Sequence, residues 1–446
     1  MLTPWQEEAS DHLTSVLKAQ MCAIDLSDTG VGKTYTAAGT LLKLGSPEFL
    51  VVCPKAVIPS WQRVLEEYKL QPLGVLNPEA LKTGKRKFAT RTTIRSGFTR
   101  ADGKKVKPTY RWGWQMPKGS FVIFDEAHRF SGEKTHACKL MAATRAYSLK
   151  TLCLSATIAT SPMKMRALGY LLGLHGFNNF YDWCLQNGCY RNMAWGGISF
   201  LAPPQCNPFL ENLHAQILPQ SGVRLRVSTI PGFPKNEVSV EAYDLGSSAT
   251  KEINDVYTEM LVKIEEDKEL NPLVRLLRLR QAVEKAKLEF FYSTCVDLNA
   301  QHKAVVIFLS FRESVWFLMG RLDAAGYNPA VIVGQQSPSD RQQSIDDFQA
   351  NRKHIVIATS GSGGAGISLH DLTGLWPRVS LINPQYSAVE LKQTLGRIHR
   401  QGAMSPAVQK IIFAAKTVEE QACKAVQRKL NNLALLQDGD LVAGIL

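Results

Sequence analysis

Three short groups of residues in this 446-residue sequence have types and spacings that could do chemistry. The first, Ser27-Asp28-Thr29-Gly30-Val31-Gly32-Lys33-Thr34, follows the apolar run Met21 to Leu26 and precedes an Ala- and Leu-rich stretch, Tyr35 to Leu44. A strand, a glycine-bearing loop ending Gly-Lys-Thr and a helix form a cradle for phosphate. The backbone N–H groups of Thr29, Gly30, Val31 and Gly32 face the anion, and the helix N-terminus adds its dipole. Lys33 would reach the β- and γ-phosphates, and the Thr34 hydroxyl would hold Mg²⁺. The full pattern has Gly where this chain has Ser27. The second group, Asp125-Glu126, ends the apolar run Phe121 to Phe124. Asp125 would hold Mg²⁺ through water, and Glu126 would orient and deprotonate an attacking water. An acidic pair that merely caps a strand is the bland alternative, weakened by the upstream Gly-Lys-Thr. The third group, Gln393 to Arg400, falls on a helical stretch, with Arg397 and Arg400 at i and i+3 on one face. Two guanidiniums aimed at one point call for an anion, and a γ-phosphate is the usual one. The alternative is a solvated basic face.

The elements that would carry these groups alternate. Phe49 to Cys53, Phe121 to Phe124 and Leu152 to Leu154 read as buried strands, with helical patterns between them. Ala304 to Leu309, Ala330 to Val333, Ile355 to Ala358, Val379 to Ile382 and Val408 to Ala414 repeat the rhythm, and a last helix runs from about Val418 to Leu436. Short apolar strands alternating with helices predict an α/β fold with parallel sheets, whose ligands sit at the carboxyl ends of the strands. A chain of this length exceeds one core. The expected division is a first lobe over 1–228, with an insert at 82–118 and a helical region at 162–220, and a second over 229–446, led by helices across 249–298.

Hydrophobic residues at 45% and charged residues at 20% fit a soluble globular protein. No apolar run is long enough to span a bilayer, and Glu7, Glu8 and Asp11 make the N-terminus unlike a signal peptide, so a cytoplasmic protein is expected. The nine cysteines include no Cys-x-x-Cys pair, which favours reduced thiols. Cys184, Cys189, Cys206 and His214 could form a zinc site, but their spacing is irregular, and core or surface thiols are the better reading.

The net charge of +13 is concentrated: Lys82 to Lys118 holds seven Lys and five Arg against one Asp. A chain close to neutral elsewhere, with one strongly basic patch, suggests a polyanion contacted at a defined place. Arg91 to Arg100 alternates, with Ile94 and Phe98 on one face and Arg91 and Arg95 on the other. Ala101-Asp102-Gly103 signals a turn, and Tyr110, Trp112 and Trp114 then share one strand face, with Arg111 opposite. This predicts a β-hairpin whose aromatics anchor it while basic residues, among them Lys85, Arg86, Arg95, Lys104, Lys105, Lys107 and Arg111, meet nucleic acid. It could act as a wedge whose aromatics stack on bases, or as a clamp on duplex phosphates. A solvated loop is the bland alternative.

The order of motifs resembles a superfamily 2 helicase, specifically its Swi/Snf-like, DEAH-type translocase branch. Gln6 in Leu-Thr-Pro-Trp-Gln resembles the adenine-reading glutamine, and Ser27–Thr34 resembles motif I. Val52-Cys53-Pro54-Lys55 resembles motif Ia, Asp125–His128 motif II, Ser155-Ala156-Thr157 motif III, and Ile307–Phe311 motif IV. Thr359–Leu369, including Gly366, resembles motif V, and Gln393–Arg400 resembles motif VI. The resemblance implies two RecA-like lobes with ATP and Mg²⁺ between them, Lys33, Thr34, Asp125 and Glu126 on one side, Gln393, Arg397 and Arg400 on the other. It also implies coupling through His128, Ser155 and Thr157, and phosphate contacts from Lys55, Ser310, Arg312 and Ser360. Motif III reads Ser-Ala-Thr where Swi/Snf members often have Thr-Gly-Thr, and no chromatin-reading domain is evident. Those departures argue against a chromatin remodeller and point to a minimal DNA motor akin to the branched-DNA helicases of large bacteriophages; a monomer is expected. A duplex translocase that separates no strands, an RNA helicase, and a silent nucleic-acid-binding scaffold remain alternatives. The intact Lys33, Asp125, Glu126, Arg397 and Arg400 argue against the last.

Overall fold

Apolar, β-branched runs form the centre of two parallel sheets. The computed structural model describes residues 1–438 apart from 84, 100–104, 107, 194–195, 247–249, 252–253, 256–271 and 364–366. The chain divides into two compact units: Met1 to Ile230 together with the segment from Asn431, and Pro231 to Leu430. The end of the last helix, Val418–Asp438, therefore belongs with the first unit, where Leu433, Leu435 and Leu436 are buried in the core.

In the first unit the strands are β1 (Cys22–Asp25), β2 (Phe49–Val52), β3 (Gly74–Leu76), β4 (Phe121–Asp125), β5 (Lys150–Leu154) and β6 (Gly222–Val223). They lie in the order β6-β1-β5-β4-β2-β3, all parallel. The central strands are buried along their length, because helices cover both faces. The register sets Asp25 beside Leu154 and Leu154 beside Asp125, so the loops leaving β1, β5 and β4 emerge side by side.

In the second unit the strands are β7 (Asn236–Tyr243), β8 (Ala304–Leu309), β9 (Ala330–Ile332), β10 (Ile355–Thr359), β11 (Arg378–Ile382) and β12 (Ala407–Ala414). Their order is β7-β12-β11-β8-β10-β9, again parallel throughout. Helices Pro272–Ala286 and Leu288–Ala300 precede β8; of the rest of the expected helical stretch, 249, 252–253 and 256–271 lie outside the described residues.

The region 162–220 is less uniformly helical than expected, since Cys189–Arg191 and Ile198–Phe200 form a small antiparallel hairpin. Among the described residues no group of three or more His, Cys, Asp or Glu is arranged to hold a metal ion, and Cys184, Cys189 and Cys206 are buried thiols. No described helix is long and apolar enough to cross a membrane.

The insert is a β-hairpin. Ala89–Arg95 pairs antiparallel with Thr109–Trp114 and with Lys85–Arg86, and Phe98–Thr99 pairs with Lys105–Val106. Trp112 and Trp114 are buried in the first unit's core, and the Trp114 indole donates to the Leu140 carbonyl at 3.1 Å. Tyr110 and Trp112 both pack against His136. Arg91 lies opposite Trp112 and over the Tyr110 ring at 4.5 Å, on the aromatic face, while the expected separation of Arg95 from Phe98 is corrected, because the bulge brings the two side chains together. The register shifts between Thr93 and Arg95, and beyond that point Ile94 and Phe98 are exposed, with the Arg95 guanidinium 4.7 Å over the Phe98 ring.

Candidate active site

The loop after β1 turns on Gly30 and Gly32, at φ 89° and 88°, where a side chain would be strained. A Cβ at Gly32 would also run into the Gln6 amide. Helix Lys33–Lys43 starts immediately after, placing Lys33 and Thr34 in its first turn. The Lys33 ammonium donates to the carbonyls of Ser27 at 2.8 Å and Asp28 at 2.9 Å. Burial lowers its pKa, opposed by Asp25, Glu126, Asp125 and Asp28 nearby. Asp25, wholly buried, accepts from the Ser27 N–H at 2.8 Å and is pushed up by its burial. Ser27, the departure from the usual glycine, has a purpose here: its hydroxyl accepts from the Leu225 N–H at 3.0 Å, tying the loop to the segment after β6.

Gln6, on the first helix, packs against this loop. Its amide donates to the Val31 carbonyl at 2.9 Å and accepts from the Thr3 N–H at 3.1 Å, so it contacts the loop directly. At the end of β4, Asp125 accepts from the Trp61 indole at 2.8 Å and from the Glu126 N–H at 2.9 Å. Burial and the Glu126 carboxyl beside it raise Asp125 to about 6. Glu126 adopts a left-handed backbone, φ 55°, uncommon for a non-glycine residue, which turns the chain sharply after the strand. His128 Nδ1 lies 3.0 Å from the Ser155 hydroxyl and 3.3 Å from Glu126 Oε2. Ser155 in turn donates to the Thr157 carbonyl and accepts from its N–H. The loops after β4 and β5 are thus in direct contact.

In the second unit, Ser310 and Arg312 follow β8, and Ser360 follows β10. Arg312 is exposed, as is Lys55 after β2 in the first unit. Asn383 donates to the Ser310 hydroxyl at 3.1 Å, and Gln385 donates to the Ser360 hydroxyl, which itself donates to Leu309 O at 3.1 Å. Beneath them, buried Glu284 accepts from Ser310 N–H at 2.7 Å and Phe311 N–H at 3.0 Å. Buried Lys287 donates to Glu419 at 2.7 Å and Asn383 at 2.6 Å.

The motif VI reading needs a correction. Helix Ala388–Leu395 carries Gln393 but stops at Gly396, so Arg397 and Arg400 do not share a helical face. They converge by another route: Arg397 donates to the Ile367 carbonyl at 3.2 Å and Arg400 at 3.0 Å, while Leu369 N–H donates to Arg397 O at 2.9 Å. Gly366, Lys104 and Lys107 lie outside the described residues, and Lys85, Arg86 and Lys105 lie on insert strands. Arg111 is exposed. Trp61, Asn383, Gln385 and Arg224 escaped the sequence reading; their partners are distant in sequence and no local pattern marks them.

Residues 3–165 match the DEAD/DEAH box helicase family, and residues 286–402 match the helicase conserved C-terminal domain. A protein of Acanthamoeba polyphaga mimivirus, provisionally described as an ATP-dependent RNA helicase, is 32% identical over 99% of this chain and 84% of its own length. The zebrafish chromodomain-helicase-DNA-binding protein 1-like is 21% identical over 94% of this chain, which spans 42% of that protein. Yeast Dbp5, solved with RNA and ADP–BeF3, superposes with a TM-score of 0.52 at 13% identity, covering 97% of this chain and 88% of that one. That likeness concerns the fold: two parallel sheets flanked by helices, as in the two RecA-like lobes of such proteins.

Proposed function

The chain belongs to the DEAD/DEAH box helicase family, superfamily 2 enzymes that hydrolyse ATP, and from that premise we propose that it is a DNA motor that unwinds or remodels forks and junctions. The observation that carries the DNA reading is the insert: a basic hairpin fastened by Trp112 and Trp114 to the nucleotide-binding lobe, with Ile94, Arg95, Phe98 and Arg111 left on its surface. Trp112 and Trp114 are buried and unavailable to stack on bases, which narrows a wedge to the Phe98 end and leaves the rest suited to phosphates. The motif order favours the Swi/Snf-like, DEAH-type branch and, within it, a minimal motor of the bacteriophage kind. Such a motor would act as a monomer in the cytoplasm, the host's if viral.

Lys33 and the loop amides would hold the phosphates, Glu126 would orient the attacking water, and Gln393, Arg397 and Arg400 would serve hydrolysis as phosphate-facing groups. The donor set fits Mg²⁺: Asp125, raised by its burial and by the second carboxyl beside it, would be relieved by a cation, and Thr34 offers a hydroxyl in the helix's first turn. Bound there, the ion would neutralise phosphate charge. Lys55, Ser310, Arg312 and Ser360 would contact the nucleic-acid backbone, positioning it without reading sequence.

RNA unwinding is the second reading, favoured by the description of the viral relative. The test is ATP-dependent strand separation on a forked DNA duplex, a blunt DNA duplex and an RNA duplex of matching sequence, with Lys33→Ala and Glu126→Gln as inactive controls. Fork unwinding alone supports the proposal. Release of RNA strands only would replace it with the second reading. Turnover stimulated by blunt DNA without strand release would make the protein a translocase.

A further inference from the structure

The mechanism so far leaves one buried charge cluster in the first unit unused. Asp438, at the end of the last helix, is 4% exposed in its side chain, and Arg224, just after β6, is 9% exposed. Arg224 grips Asp438 with a two-pronged fork, Nε to Oδ1 at 2.7 Å and Nη2 to Oδ2 at 3.2 Å. Its remaining nitrogen, Nη1, donates to the Leu26 carbonyl at 2.8 Å and to Asp28 Oδ1 at 2.9 Å. Asp28 Oδ2 accepts from the Val227 N–H at 3.0 Å, and the Asp28 carbonyl is one of the two that hold Lys33. A continuous chain of contacts therefore runs from Asp438 through Arg224 to the Asp28 carboxylate, and from the Asp28 backbone carbonyl to Lys33. Arg226 also grips Asp438, at 2.9 Å to the carboxylate and 2.7 Å to the carbonyl. The adjoining Gln437 donates to the Ala156 carbonyl of motif III at 2.9 Å, and the helix end is packed by Leu433, Leu435 and Leu436.

We propose that Asp438 is a positioning residue for the phosphate loop: by fixing the Arg224 fork it sets Asp28, and through Asp28 the rest position of Lys33. An arginine fork satisfied on one side by a carboxylate cannot swing away from the other. Removing Asp438 leaves Arg224 with half its contacts and free to pull Asp28 and the loop out of register. The inference rests on Ser27–Thr34 being the nucleotide site.

The experiment uses the full chain and measures KM and kcat for Mg-ATP beside the melting temperature. Asp438→Asn is expected to raise KM about tenfold while kcat changes less than threefold. Arg226→Gln removes other contacts to the same carboxylate and leaves the Arg224 fork in place; it is expected to lower the melting temperature with KM unchanged. Arg224→Lys, which keeps the charge and loses the fork, should raise KM as Asp438→Asn does, and serves if the latter does not fold. Parental KM in Asp438→Asn or in Arg224→Lys would overturn the proposal, as would an equal KM change in Arg226→Gln. Failure of the site itself reads differently: Lys33→Ala would then retain turnover.

Discussion

The His128 imidazole lies 3.0 Å from the Ser155 hydroxyl, linking the loops that leave two adjacent strands, β4 and β5. One loop carries the carboxylates Asp125 and Glu126, the other the Ser-Ala-Thr turn. A two-part contact of this kind can pass the state of the nucleotide to the neighbouring loop, because Ser155 also bonds both backbone groups of Thr157. Ser155→Ala is expected to keep ATP turnover within about threefold while ATP-driven strand separation falls about tenfold, equivalent to roughly 1.4 kcal/mol of lost coupling. Parallel loss of both activities would assign Ser155 to hydrolysis itself.

Trp61 is fully buried, yet its indole N–H reaches Asp125 at 2.8 Å. Trp61→Phe keeps most of the apolar volume and deletes the donor, leaving a buried carboxylate short of one hydrogen bond. The expected cost is about 1–3 kcal/mol of stability, with a tenfold or larger fall in kcat for ATP. Thermal unfolding and steady-state turnover check it; an unchanged kcat would show that the indole does not position Asp125.

His370 offers a pH-dependent signature in the second unit. Burial, with Arg400 and Arg378 nearby, pushes its pKa down to about 4. A neutral folded imidazole with an ordinary unfolded one means that the unfolded chain binds the proton first. Its stability contribution is therefore intact above about pH 6.5 and lost as pH falls toward 4. Partial exposure reduces the effect to about 1–2 kcal/mol. His370→Asn should remove that part of the acid sensitivity, seen as a shallower fall of melting temperature than the parent between pH 7 and 4.5. Parallel curves would contradict the assignment.

Both sheets were legible because their central strands are uninterrupted apolar runs such as Phe49 to Val52 and Ala304 to Leu309, buried on both faces. The edge strands Gly74–Leu76 and Gly222–Val223 were not, being two or three residues long with one neighbour each. The placement of the glycine-bearing loop after β1 and of the acidic pair at the end of β4 could be read from local spacing alone. Arg397 and Arg400 misled because their spacing fits a helix that Gly396 ends; what brings them together is a carbonyl 30 residues earlier for Arg397 and 33 for Arg400. The Arg224 fork spans 214 residues to Asp438, a separation that no periodicity encodes.

In the proposed motor the insert would join the nucleotide lobe to the DNA, so its charge is the most direct test of the account. The measurement is DNA affinity and DNA-stimulated ATP turnover of a variant with Lys104, Lys105, Lys107 and Arg111 neutralised, at fixed salt beside the parent. The account predicts at least tenfold weaker DNA binding, a shallower salt dependence and loss of most of the stimulation. Equal affinity and equal stimulation in variant and parent would contradict it.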